Sequence, residues 1–221
     1  MSEPVLMIGA AGHARAVLEA IRAEGRWSVV GLIDSFQPPG TLAHGLTILG
    51  GERDVPRLLH AHEIHQVIIA IGDNFQRAAM WTRLQMAAPG VRLTGAIHPA
   101  AVIAPDVTIG PGSVILPGAV VVSGARIGQG CILNTACAFD HEGEMADWSS
   151  LGPGAIVGGR VRIGLRTAVG LGARVIQKLH IGADTLIGAG SLVLRDVPDA
   201  VLVYGAPARI IRTRRPDEPY L

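Results

Sequence analysis

The chain has almost no excess of either charge. Its 221 residues carry 19 Lys and Arg against 18 Asp and Glu, a net of +1, so it lacks the basic footprint that nucleic acid or an anionic membrane would need. No apolar run reaches bilayer-spanning length, and the N-terminus lacks the basic-then-apolar layout of a secretory signal. A cytoplasmic location is expected, with neither nucleic acid nor membrane as a partner. Cysteine is scarce. Cys131 and Cys137 cannot hold a zinc ion alone, a disulfide is not expected in the cytoplasm, and both are read as inward packing residues. The histidines are too scattered for a metal site, so none is expected. This also argues against a γ-class carbonic anhydrase.

What the chain does have is a strict period. Residues 101–196 divide into sixteen hexads with no residue inserted or lost. The third position is apolar in all sixteen, running through Ile103, Ile109, Ile115 and Val121 to Ile187 and Val193. The first is small except at Val107, Val161 and Leu179. Positions one and three of a short strand face the same side, so the aliphatic fills a core and the small residue sits where two walls meet. Such a period predicts a parallel β-helix. With three hexads per coil, each residue stacks on the one eighteen further along. Gly or Asn at the fourth position, as in Gly110, Gly128, Asn134 and Gly152, is expected to turn the corners.

The first hundred residues alternate strand and helix. Apolar runs at 5–8, 29–33 and 67–71 are each followed by a loop and a helical pattern, which predicts an open, Rossmann-like parallel sheet. The expected division is an α/β domain at 1–97 and a β-helix with its cap at 98–221. Ligands of such sheets lie beyond the C-terminal strand ends, here the loops at 9–13, 34–35 and 72–74. Glycines before a helix N-terminus suit a phosphate, and Asp34 could accept hydrogen bonds from a ribose or base. The first loop reads G-x-x-G-H rather than G-x-G-x-x-G, which favours a nucleotide over NAD. His13 faces that ligand. His44, His60, His62 and His65 are expected on the surface, His98 in the domain joint, and His180 exposed.

Within the repeat, one corner departs from the rest. Where other hexads turn through glycine and proline, the seventh carries Asp140-His141-Glu142, between the odd core residues Phe139 and Met145. A histidine beside carboxylates suits general-base work near neutral pH. On an extended backbone both acids point away from the imidazole, so Asp140 or Glu142 must wrap round the corner to touch it. Eighteen residues on stands Gly159, whose bare backbone could offer an N–H to an oxyanion. A non-catalytic β-helix spacer would need no such corner. Residues 203–209 are expected to cap the last coil, and the charged tail at 212–221 to be mobile or draped on the surface.

The repeat, the His141 corner and Gly205-Ala206-Pro207-Ala208-Arg209, a G-x-P-A-[RK] stretch closing the repeat, together resemble the left-handed β-helix acyltransferases. The loop at 9–13, Leu32-Ile33-Asp34-Ser35-Phe36 and Ile69-Ala70-Ile71-Gly72-Asp73-Asn74 are similar to the nucleotide-sugar N-acetyltransferases of the bacillosamine and perosamine type. The resemblance implies a left-handed β-helix, a homotrimer, and acetyl-CoA as cosubstrate. It implies as acceptor the 4-amino group of a nucleotide-linked dideoxy sugar, foremost GDP-perosamine, in surface-polysaccharide (O-antigen) biosynthesis. UDP- or dTDP-linked 4-amino sugars, or O-acetylation of the sialic acid type, are the alternatives. It further implies His141 as general base, Glu142 raising its basicity, and the Gly159 N–H on the thioester oxyanion. Ala11, Gly12, His13, Asp34, Ser35 and Asn74 would contact the nucleotide sugar, and Ser150, Leu171 and Ala189 the acetyl-CoA. Some relatives carry a histidine where Ser150 stands, nine residues after the base.

Overall fold

A computed structural model describes residues 2–219. The N-terminal elements are β1 (Glu3–Ile8), α1 (Gly12–Glu24), β2 (Trp27–Ile33), β3 (Leu42–Ala43), β4 (Leu46–Gly50), α2 (Val55–Ala61), β5 (Gln66–Ile69), α3 (Asn74–Ala87) and β6 (Arg92–Leu93). They form one sheet in the order β3-β4-β2-β1-β5-β6, parallel except for the β3–β4 hairpin. β1 lies at its centre, and Val5, Leu6, Met7 and Ile8 are buried on both faces. That is why the run is continuously apolar instead of alternating. α1 lays Val17, Leu18, Ala20 and Ile21 on the sheet and ends at Gly25, whose φ of 72° lets its N–H bond Ile21 O. The chain crosses from one side of β1 to the other between β2 and β5. The switch point of the sheet therefore falls between the ends of β1 and β5, where the first and third glycine loops meet.

The repeat folds as expected into a left-handed parallel β-helix of three sheets. Its first strand, Ala96–Ile97, pairs with Val114–Ile115, so the first rung begins just ahead of residue 98. Stacking proceeds at intervals of eighteen, as in Ile115↔Leu133, Val121↔Phe139 and Ile127↔Met145. The third-position side chains from Ile115 to Val193 fill the interior with no more than 3% exposed. Phe139 is fully buried, and truncating it to alanine would cost about 3–5 kcal/mol. Cys131 and Cys137 are free and buried in this core, where burial pushes the Cys137 thiol up to about 12.

The corners differ from expectation. The left-handed backbone conformation falls on the sixth position of the hexad: Gly112, Gly118, Gly124 and Gly130, and also Ala136, Glu142, Trp148, Arg160 and Lys178. Fourth-position glycines serve close approach instead. A Cβ on Gly110 would lie 2.5 Å from the Gly128 carbonyl carbon, and one on Gly152 would lie 2.7 Å from Leu171 N.

The two parts are packed together. Ala96, Val114 and Leu116 share a cluster with α1, and Trp148 joins Trp81, Leu84 and Leu93 in another. Trp27 donates its ring N–H to Gly95 O at 3.0 Å. At the far end Val201–Gly205 adds a parallel rung on Leu186–Ile187, and Ala208–Thr213 returns antiparallel as the edge strand of that sheet, with Ala208 packed against the core. Of the two expectations for the tail, mobile or draped on the surface, the second holds: it is draped and tied down. Arg214 is 7% exposed and donates to Asp184 O, and Arg212 bonds Glu218. The end of that expected tail, residues 220–221, lies outside the described residues. Among the described residues no helix is long and apolar enough to cross a membrane.

Candidate active site

The irregular corner is resolved by backbone conformation. Glu142 takes the sixth position with φ 54°, which swings its side chain back along the chain. Its Oε2 lies 3.3 Å from His141 Nδ1. Asp140 uses its carboxylate differently, accepting the His141 backbone N–H at 2.7 Å. Glu142 is therefore the partner of the imidazole, and Asp140 caps the corner. A second group shares the same oxygen. Arg160 Nε donates to Glu142 Oε2 at 2.6 Å, and this bond, then the one to His141, holds the Glu142 carboxyl below the usual carboxylate range. Arg160 went unnoticed in the sequence, although it stands one coil above Glu142 by the eighteen-residue count.

Gly159 lies directly against the ring. A Cβ there would be 2.3 Å from His141 Nε2, 2.5 Å from Cε1 and 2.7 Å from Cδ2. Only glycine leaves room for the imidazole in this position. The Gly159 carbonyl accepts from Lys178 N, while its N–H donates to no group among the described residues. The corner thus joins a ring nitrogen oriented by a carboxylate with, among the described residues, a second ring nitrogen that has no partner and an unused backbone donor. It remains open, with the side chains of His141 and Glu142 about half exposed.

A cavity of about 290 Å³ lies at the joint between sheet and β-helix. His13 and Gly72 line it from the switch point, and Ser150, Leu171, Ala189 and Tyr204 from the β-helix. His13 therefore stands with the three residues expected at the cofactor. Burial, then the nearby Arg77 guanidinium, push its imidazole down to about 4, so the ring is neutral near pH 7. Its Nε2 is buried without a hydrogen-bond partner among the described residues. Leu171 and Ala189 are exposed, and their backbone N–H groups donate to nothing among the described residues.

The remaining expected contacts separate. Asp34 and Ser35 border a different hollow, with Phe36, Glu52 and Arg83. The Asp34 carboxylate is occupied by three backbone N–H groups, those of Ala10, Phe36 and Gln37, and so pins the first loop to the second. Ser35 Oγ accepts from Glu52 N. Ala11 and Gly12 are exposed at the start of α1. Asn74 differs most from expectation. It is fully buried, donates to Ser150 Oγ at 3.0 Å and to the carbonyls of Arg166 and Thr167, and accepts from Arg77. It offers no surface to a nucleotide and instead joins the two domains. Arg77, 1% exposed, extends that joint to the carbonyls of Gly130, Trp148, Ile71 and Gly72. No periodic signal marks these joint residues in the sequence. His44, expected as plain surface, holds Ala10 O through Nε2 at 2.9 Å. Among the described residues no group of three or more His, Cys, Asp or Glu is arranged to hold a metal.

A parallel α/β sheet fused to a left-handed β-helix, with a carboxylate-oriented histidine at one corner, matches the architecture of the hexapeptide-repeat acyltransferases. Residues 4–84 match the family model of the PglD N-terminal domain. The structure is similar to PerB from Caulobacter crescentus, solved with CoA and GDP-perosamine, at 37% identity and TM-score 0.87 over 94% of this chain and 96% of that one. A histidine-to-alanine variant of GDP-perosamine N-acetyltransferase from the same organism matches at 36% identity and TM-score 0.88, with the same coverage. The acetyltransferase domain of PglB from Neisseria gonorrhoeae, solved with acetyl coenzyme A, matches at 30% identity and TM-score 0.86 over 96% of this chain and all of that one. No match is found among the curated proteins. The chain belongs to the nucleotide-sugar N-acetyltransferase family.

Proposed function

We propose that this protein transfers an acetyl group from acetyl-CoA to the 4-amino group of a nucleotide-linked dideoxy sugar, with GDP-perosamine as the leading acceptor, in the making of a surface polysaccharide. One observation carries the reading: His141 with Glu142 on Nδ1 and Gly159 against Nε2. Donation of the Nδ1 proton to Glu142 leaves the Nε2 lone pair bare. An amine is nucleophilic only when unprotonated, and Nε2 is the group that takes its proton as it reacts. The Gly159 N–H stands ready for the negative charge that develops on the acyl oxygen.

Acetyl-CoA supplies the acetyl group as an activated thioester. The residues fit its amide-bearing arm: the joint cavity is largely apolar, and Leu171 and Ala189 present unused N–H donors at its wall. Ser150, expected beside the cofactor, has its hydroxyl engaged by Asn74 and so contributes mainly its place in that wall. The loops carrying Ala11, Gly12, His13, Asp34 and Ser35 are the natural seat of the nucleotide sugar, with Asn74 supporting them from beneath. His141 follows the strand Ala138–Phe139, whereas Leu171 and Ala189 follow Ala168–Val169 and Leu186–Ile187 in another sheet. Base and cofactor wall thus sit at different corners of one chain, and a homotrimer would bring them together between copies. The outer face of the sheet containing His141's strand suits such contact, with Val102 and Ile156 64% and 47% exposed. The two unpaired buried thiols accord with the cytoplasm.

The test is CoA release with GDP-, UDP- and dTDP-linked 4-amino sugars, and with a hydroxyl acceptor for O-acetylation. Release with GDP-perosamine above the others is expected. No release with any amino sugar would sink the reading. His141→Asn is expected to lower the rate by roughly 10²–10⁴ with the fold retained.

A further inference from the structure

We infer that Arg160 is a positioning residue of this active site, holding the Glu142 carboxylate so that its Oε2 meets His141 Nδ1 and keeps the Nε2 lone pair free. The inference rests on His141 acting as base, as proposed above. Arg160 brackets the corner twice: its backbone N–H donates to His141 O at 2.8 Å, and its Nε donates to Glu142 Oε2 at 2.6 Å. The oxygen it holds is the same one that faces the imidazole.

The reason for needing such a holder lies in the exposure of the corner. The Glu142 side chain is 53% exposed, and a half-exposed glutamate keeps most of its rotamer freedom unless tethered. At 3.3 Å the His141 contact is longer than a strong charge-assisted bond, so it does not fix the carboxylate by itself. The Arg160 contact is short, and the backbone of Arg160 is locked to the corner that it serves. An exposed ion pair contributes little to stability, so the consequence of this one is orientation. Which imidazole nitrogen carries the proton is set by the hydrogen bond at the other. A carboxylate that wanders lets the ring sample the tautomer with Nε2 protonated, and that form cannot take a proton from an amine.

The experiment compares wild type, Arg160→Gln, Arg160→Lys, Glu142→Gln and a Glu142→Gln, Arg160→Gln double variant. It uses steady-state kinetics and the imidazole ¹⁵N shifts of His141, which report the tautomer. Arg160→Gln is expected to lower kcat about 10-fold, with both KM values within about twofold of wild type, and to shift His141 from the Nδ1-protonated tautomer towards a mixture. Arg160→Lys, which keeps a donor and the charge, should recover most of both signals. In the Glu142→Gln background the loss of Arg160 should add nothing further. Wild-type kcat and tautomer populations in Arg160→Gln would overturn the inference. The ¹⁵N comparison needs no turnover, so it decides the role of Arg160 even if no acceptor is acetylated, an outcome that would instead remove the proposed function.

Discussion

Replacing Gly159 with alanine tests the corner with one added carbon. The three atoms nearest the new Cβ would all belong to the His141 ring, with Nε2 at 2.3 Å. Unstrained carbon–nitrogen contact needs about 3.5 Å, so the ring must withdraw by more than about 1 Å. A displacement of that size at a reacting atom can cost about 10²-fold. The backbone does not resist the change, because Gly159 lies outside the left-handed region, and a compatible Gly→Ala replacement stabilises by about 0.4–1 kcal/mol. The imidazole can swing outward, being half exposed. The expected result is kcat reduced about 100-fold with Tm unchanged or slightly raised. The decisive control is the same replacement in a His141→Ala background, where no further loss is expected. A kcat within about twofold of wild type, or a loss of equal size without the histidine, would falsify the reasoning.

Three further outcomes follow from the same geometry. The Glu142 carboxyl is held below its ordinary value of 4.5 by Arg160, then His141; its contribution to stability is present above that value and lost as pH falls through the lower folded value. The Tm difference between wild type and Glu142→Gln should accordingly close in acid. His13, depressed from 6.5 to about 4, must charge on unfolding. Stability is therefore full above 6.5 and declines as pH falls towards 4, by about 3 kcal/mol in all relative to His13→Gln; parallel urea titrations of the two proteins across that window check it. Arg77→Met would strip donors from the carbonyls of Gly130, Trp148, Ile71 and Gly72. Chemical denaturation should show a loss of about 3 kcal/mol or more.

The sequence by itself determined what depends on counting. A repeat without insertions sets the rung interval at eighteen, and that interval alone puts Gly159 beside His141. The same interval puts Arg160 one coil above Glu142. The continuous apolar runs of the first hundred residues likewise determined a buried parallel sheet and the loops at its C-terminal edge. The tertiary structure decided what depends on backbone rotation and on contacts between distant segments. Glu142 rather than Asp140 faces the imidazole because the left-handed turn falls on the sixth position, and one-dimensional spacing carries no φ. Asn74 became a buried tie between domains because α3 packs against the β-helix, where Ser150 and the Thr167 carbonyl wait more than seventy residues away. His13 joined Ser150, Leu171 and Ala189 around one cavity for the same reason: the switch point of the sheet faces a wall built from a different part of the chain.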